Sequence, residues 1–223
     1  DGGASMAAPV CSSWVYITQS VARRSATKPL GDQQNPGVQL ANVMVGRVLL
    51  IQWVFAARGC WFNIEQPLGS IMEHHPLFQR FVAILRLYRH NTAMGSFGLA
   101  AWKPTWIYSS HSFICEIEKY RETCLPEASA EMTRKRLNAL GRLVVDGGCD
   151  LKSSQAYTHR FGWAMAQVYV EHKSQLKAAA AEQHRRARKR AAKQRLRFLS
   201  KDEIFADKQE AEWLTGACLG QVL

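Results

Sequence analysis

The sequence predicts an α/β fold, a sheet of parallel strands with helices on both faces, continued by a long basic helix. Three observations carry this reading. Short apolar runs rich in β-forming residues alternate with longer helical stretches, the pattern that βαβ units leave in a chain. The 223 residues are 47% hydrophobic and 10% aromatic, enough to bury one sizeable core and to offset the entropy of ordering it. The formal charge of +11 is concentrated, with eleven Lys or Arg against the single acid Glu182 between Lys173 and Lys201. The rest of the chain is close to neutral, so any electrostatic argument concerns the tail and not the body. Residues 1–170 therefore read as an α/β domain and 171–223 as a basic helical tail.

Each element follows in order. Ser5 to Val10 reads as a buried strand feeding the turn-like Pro9-Val10-Cys11-Ser12-Ser13. Ala22 to Gly37 holds Pro29, Gly31, Asn35 and Pro36 among polar residues, which predicts an exposed, mobile loop. A helix is expected from Val38 to Arg58, closed by Gly59 as its C-terminal cap. This is the most apolar stretch, but Gln39, Asn42, Arg47 and Gln52 interrupt it, favouring a buried or half-buried helix over a membrane span. Cys60 to Glu65 reads as a second strand closed by Pro67, and Ser70 to His90 as a second helix with Pro76 as a point of division. Thr105 to Ser109 gives a third strand, and Ser112 to Tyr120 a short helix. Parallel strands with right-handed crossovers put ligand-binding loops at the carboxyl ends of the strands. Pro126 to Gly148 reads as a peripheral helix and loop. No Pro or Gly interrupts the helical pattern between Trp163 and Glu212.

Six cysteines, at 11, 60, 115, 124, 149 and 218, form no CxxC pair and no zinc-type Cys/His spacing. They read as reduced thiols in an intracellular compartment, nuclear or cytoplasmic. No membrane partner is expected. The start at Asp1 without an initiator methionine reads as a fragment, and Met6 to Val10 is too short for a signal sequence. Glu73-His74-His75 is not expected to hold metal, because adjacent side chains on a helix diverge. Gly95-Ser96-Phe97-Gly98 lacks the length and helix context of a phosphate cradle.

Three motifs fall at strand ends: Pro9-Val10-Cys11-Ser12-Ser13, then Ile64-Glu65-Gln66-Pro67, then Phe97-Gly98 leading to Lys103-Pro104-Thr105. The series resembles that of the DNA cytosine-5 methyltransferases, in which a Pro-Cys loop, a Glu-Asn-Val segment and an arginine motif follow in this order. Ala26-Thr27-Lys28-Pro29-Leu30-Gly31 is similar to the family's mobile loop, and Gln155 to Val168 to its closing helix motif. The likeness covers about residues 5–170 and extends to divergent, multi-copy methyltransferase-like proteins of unicellular eukaryotes. It implies a partial, N-terminally truncated Rossmann-like methyltransferase sheet, with S-adenosylmethionine as the family's cofactor. It also implies catalytic roles: Cys11 as the thiolate that adds to the ring, Glu65 as the group that holds the amidine edge, and Lys103 as the cation on the exocyclic oxygen. The target base is flipped out of the duplex.

The sequence departs from that pattern. Val10 stands for the second proline, Gln66-Pro67 for Asn-Val and Lys103-Pro104-Thr105 for the arginine motif. Gly2-Gly3 follows no strand, so the glycine-rich turn that holds the cofactor is missing and this chain is not expected to bind it. The expected function is an inactive methyltransferase-like fragment. The alternative is a noncatalytic nucleic-acid-binding or scaffold module using the tail, where Arg185, Arg186, Arg188, Lys189, Arg190, Lys193, Arg195 and Arg197 are the candidate phosphate contacts to DNA or RNA. A solvated charged helix and a membrane-surface helix are the other readings of the same composition.

Overall fold

The computed structural model describes residues 2–122, 133–141, 143–147 and 155–198. The chain divides into two units, residues 1–177 and 178–223. The first is built on a four-stranded mixed sheet in the order β1-β2-β4-β3. Strand β1 (Ala4–Ala7) runs parallel to β2 (Trp61–Pro67), while β4 (Pro104–Ser109) is antiparallel to both β2 and β3 (Tyr88–Ala93). A wholly parallel sheet was expected, and this is corrected. The third expected strand, Thr105 to Ser109, forms but runs the other way.

The cause is β3, a strand inside what the sequence suggests is one helix. Helix α3 (Pro76–Leu85) stops where Arg86 turns left-handed at φ 52°, and Tyr88 begins the strand. Only ten residues, Met94 to Lys103, then separate β3 from β4, too few for a parallel crossover. The expected helix from Ser70 to His90 is thus a 3-10 turn at Ile71–His74, α3 and part of β3. Pro76 is the break, seated at the first position of α3 where its missing N–H costs nothing.

Side chains alternate along the strands and feed two cores. Phe62, Ile64 and Tyr108 face Val45, Leu49, Phe78 and Phe81 from α2 (Pro36–Ala57) and α3. Trp61 and Ile107 face the opposite way, against Phe97, Ile114, Ile117, Phe161, Ala164 and Val168. Helices therefore cover both faces. Ile114 and Ile117 lie on a 3-10 helix, Ser112–Tyr120. Phe161, Ala164 and Val168 lie on α4 (His159–Phe198), at the three- and four-residue spacing that makes one helical stripe.

Asn35 caps α2, accepting from Gly37 N at 2.9 Å and Val38 N at 3.4 Å, and Gly59 closes it at φ +63°. A short helix, α1 (Gln19–Ala22), precedes the segment that reads in sequence as a mobile loop. That segment is pinned. Arg24 is 4% exposed, lies 3.6 Å from the Trp14 ring centroid, and donates to Ser13 Oγ, Asn42 Oδ1 and the carbonyls of Pro29 and Val38. Residues 133–137 and 143–147, expected as part of a helix and loop, instead pair antiparallel as β5 (Thr133–Leu137) and β6 (Leu143–Gly147). The expectation for 126–132 falls outside the described residues, as does the helical pattern beyond Phe198.

Candidate functional site

One edge of the sheet gathers the three motifs. Pro67 pairs with Thr105 and Ala93 with Pro104, so the carboxyl ends of β2 and β3 meet the start of β4. β1 runs parallel to β2 and delivers the Cys11 loop to the same edge. Gln66 fixes that loop: its amide donates to Pro9 O at 2.9 Å, and its carbonyl accepts from Ser70 Oγ at 2.8 Å. Cys11 O then accepts from Trp14 N at 2.8 Å, closing the turn.

Glu65 is the centre of the site. It is 3% exposed, and Tyr157 donates its phenol to Oε2 at 2.5 Å. Lys103 Nζ stands 3.4 Å from Oε1, near enough to balance the charge but not aligned to donate, so Oε1 is buried without a hydrogen bond. A buried carboxylate oxygen in that condition retains acceptor capacity for a ligand N–H. The Lys103 ammonium also lies 5.4 Å from the Tyr157 ring centroid. Lys103 is left-handed at φ 34°, a conformation a lysine adopts only under constraint, and its carbonyl accepts from Met94 N at 3.1 Å and Thr105 Oγ1 at 3.0 Å.

The electrostatics do not favour a resting thiolate. Burial pushes the Cys11 thiol up and outweighs the opposing pull of Lys103, and Glu65 pushes it further up. The same carboxylate, together with the phenol's own desolvation, raises Tyr157 well above its ordinary range. At neutral pH the edge therefore holds a neutral thiol and a neutral phenol beside the Glu65–Lys103 pair.

Cys11, Glu65 and Lys103, singled out from sequence, are brought together. Tyr157 is the member that sequence reasoning missed. It belongs to the stretch Gln155 to Val168 that resembles a family motif, but nothing in the sequence says that a side chain ninety-two positions from Glu65 points at it. Thr158 places it, accepting from Phe161 N at 3.1 Å as the cap of α4, and Tyr157 stacks on Phe161 with centroids 5.4 Å apart.

The tail candidates belong to the second unit. Arg185 and Arg186 pair with Glu182 at 2.7 and 2.8 Å, while Arg188, Lys189, Arg190 and Lys193 are exposed. The side chains of Arg195 and Arg197 lie outside the described residues. Glu73 of the Glu73-His74-His75 run pairs with Arg89 at 2.9 Å and accepts from Tyr108, and His75 caps α3. No protein-family model, curated protein or solved structure matches this chain.

Proposed function

We propose that this chain carries the base-handling edge of a Rossmann-like, cytosine-5 methyltransferase-like site without turnover of its own. The observation that carries the reading is Glu65 Oε1, buried without a hydrogen bond beside Lys103 and the Cys11 loop. A cytosine-like base presents a ring nitrogen, an exocyclic amine and a carbonyl oxygen along one edge. Oε1 accepts from a protonated ring nitrogen or the amine, and the Lys103 ammonium faces the carbonyl oxygen. Addition of Cys11 to the ring needs a thiolate, which the raised thiol withholds.

S-adenosylmethionine does not fit the residues present. Among the described residues the turn after β1, residues 8–13, holds no glycine, and its Pro9 carbonyl is taken by Gln66. The cofactor supplies the methyl group in the family, and this chain's own residues account for base handling alone. A second reading, a nucleic-acid-binding module, is favoured by the exposed Arg188, Lys189, Arg190 and Lys193 of α4, a basic helix that meets phosphates without reading sequence.

The two readings separate in one titration. Binding of a labelled duplex with one unpaired cytosine is compared with binding of its fully paired counterpart by fluorescence anisotropy. The base-handling reading expects about a tenfold preference for the unpaired base, lost in Glu65→Gln. Equal affinity for both duplexes would leave the basic helix as the binding element and remove the base site.

A further inference from the structure

The outward face of α2 is more apolar than its sequence suggests, because Gln52 is turned inward while Asn42 and Gln39 are bonded to the segment that precedes the helix. Gln52 is 2% exposed and reaches Ser5 Oγ at 3.4 Å. Asn42 accepts from Arg24 at 2.9 Å and donates to Leu30 O at 3.1 Å, and Gln39 donates to Gln33 O. Beyond Asn42, Arg47 is the one charged or amide side chain that α2 turns to solvent. Around it stand Leu40, Val43, Leu50, Ile51 and Val54 at spacings of three, four and seven, with Leu50 65% exposed. The opposite stripe, Val38, Val45, Leu49 and Gln52, is buried.

Helix α3 widens this face. Leu50 and Trp53 of α2 share one shallow groove with Leu77 and Arg80 of α3, and Ile84 continues the stripe two turns on from Leu77. α2 is long and apolar enough to cross a bilayer by length and composition, yet only 17% of its apolar window is buried. With one stripe packed and the other open, α2 is the half-buried helix among the sequence expectations, and a large exposed apolar surface in water marks a binding face.

Charge selects the occupant. Neither α2 nor α3 contains an Asp or Glu; their charged residues are Arg47 and Arg80, with Arg58 and Arg86 at the caps, all exposed. A second copy docked across a two-fold axis would set these cations against themselves. An anionic bilayer supplies hydrocarbon for the aliphatic side chains and phosphate or carboxylate for the arginines, whose long stems reach the headgroups. We propose that the α2–α3 face lies in the plane of an anionic lipid surface, with Leu40, Leu50, Ile51, Val54 and Leu77 at the acyl boundary and Arg47 and Arg80 on headgroups. The helix lies along the surface and does not cross it, because Val45 and Leu49 are packed on the sheet. The proposal departs from the expectation of no membrane partner while keeping the expectation that the stretch does not span a bilayer. It stands independently of the nucleobase reading.

The test is co-sedimentation of the full chain with vesicles of phosphatidylcholine alone and of equal parts phosphatidylcholine and phosphatidylserine. Binding is expected to the mixed vesicles. Leu50→Gln with Ile51→Gln should weaken it at least about tenfold, and each of Arg47→Gln and Arg80→Gln about fivefold. Brominated acyl chains should quench Trp53, a component absent from Trp53→Phe. A variant with Arg188, Lys189 and Arg190 changed to Gln should keep that quenching, which separates the face from the tail. The substituted side chains are exposed, so thermal melts should match the parent; if the Leu50/Ile51 variant melts early, the arginine variants decide. Binding that survives both pairs of substitutions, quenching unaffected by Trp53→Phe, or a solution dimer that leaves no binding to vesicles would overturn the proposal.

Discussion

At Cys11 two opposing effects meet, and burial is the larger. A desolvated thiol gives up its proton reluctantly, and one nearby ammonium does not restore the thiolate while a carboxylate sits beside it. Alkylation by iodoacetamide, followed at this residue by mass spectrometry, should therefore reach half its maximal rate at a pH above the ordinary thiol value of about 8.5. Lys103→Met should move that midpoint further up, and Glu65→Gln should move it down. A midpoint below the ordinary value would show that Lys103 governs the thiol. The types and order of Cys11, Glu65 and Lys103 were legible in the sequence because each sits at a strand end in a recognisable motif. Tyr157 and the pinning of the loop by Arg24 were not, because both depend on contacts made across the fold.

Among the elements, α3 depends on an uncommon cap. The Nδ1 of His75 accepts from Leu77 N at 3.3 Å, a role open only to the neutral ring, and burial together with Arg24 lowers the pKa of His75. The folded value lies below the unfolded one, so the stabilisation is complete above the ordinary histidine value of about 6.5 and is lost as pH falls through the lower folded value. Thermal melts should show His75→Ala costing about 1 kcal/mol at neutral pH, with the difference from the parent shrinking in acid. His75→Asn, which keeps an acceptor, should retain most of the stability and lose the pH dependence. A constant gap across pH would mean that the ring contributes by packing against Trp14 and not as a cap. The limits of α2 and the existence of β2 and β4 could be read from apolar runs and turn residues. β3 could not, since Tyr88 to Asn91 carries no alternation of apolar residues and is set by pairing with β4.

On the scale of the whole molecule, the densest run of cations lies along α4, from Lys173 to Arg197. If these cations meet nucleic acid, binding must release counterions, so the logarithm of affinity falls linearly with the logarithm of salt. Changing Arg188, Lys189, Arg190 and Lys193 to Gln should flatten that line by about three to four, close to 0.9 for each phosphate no longer neutralised. Arg185→Gln with Arg186→Gln should do less, because Glu182 already shares both charges. An unchanged slope in the fourfold variant would confine these residues to a solvated surface.

The Gln66 amide has a mechanical consequence. With one end held by the Pro9 carbonyl and the other by Ser70, it welds the turn bearing Cys11 to the strand bearing Glu65, so the thiol and the carboxylate travel as a single body. Tyr157 reaches the same carboxylate from a separate element, at the head of α4, so its hold on Glu65 is not tied to that body.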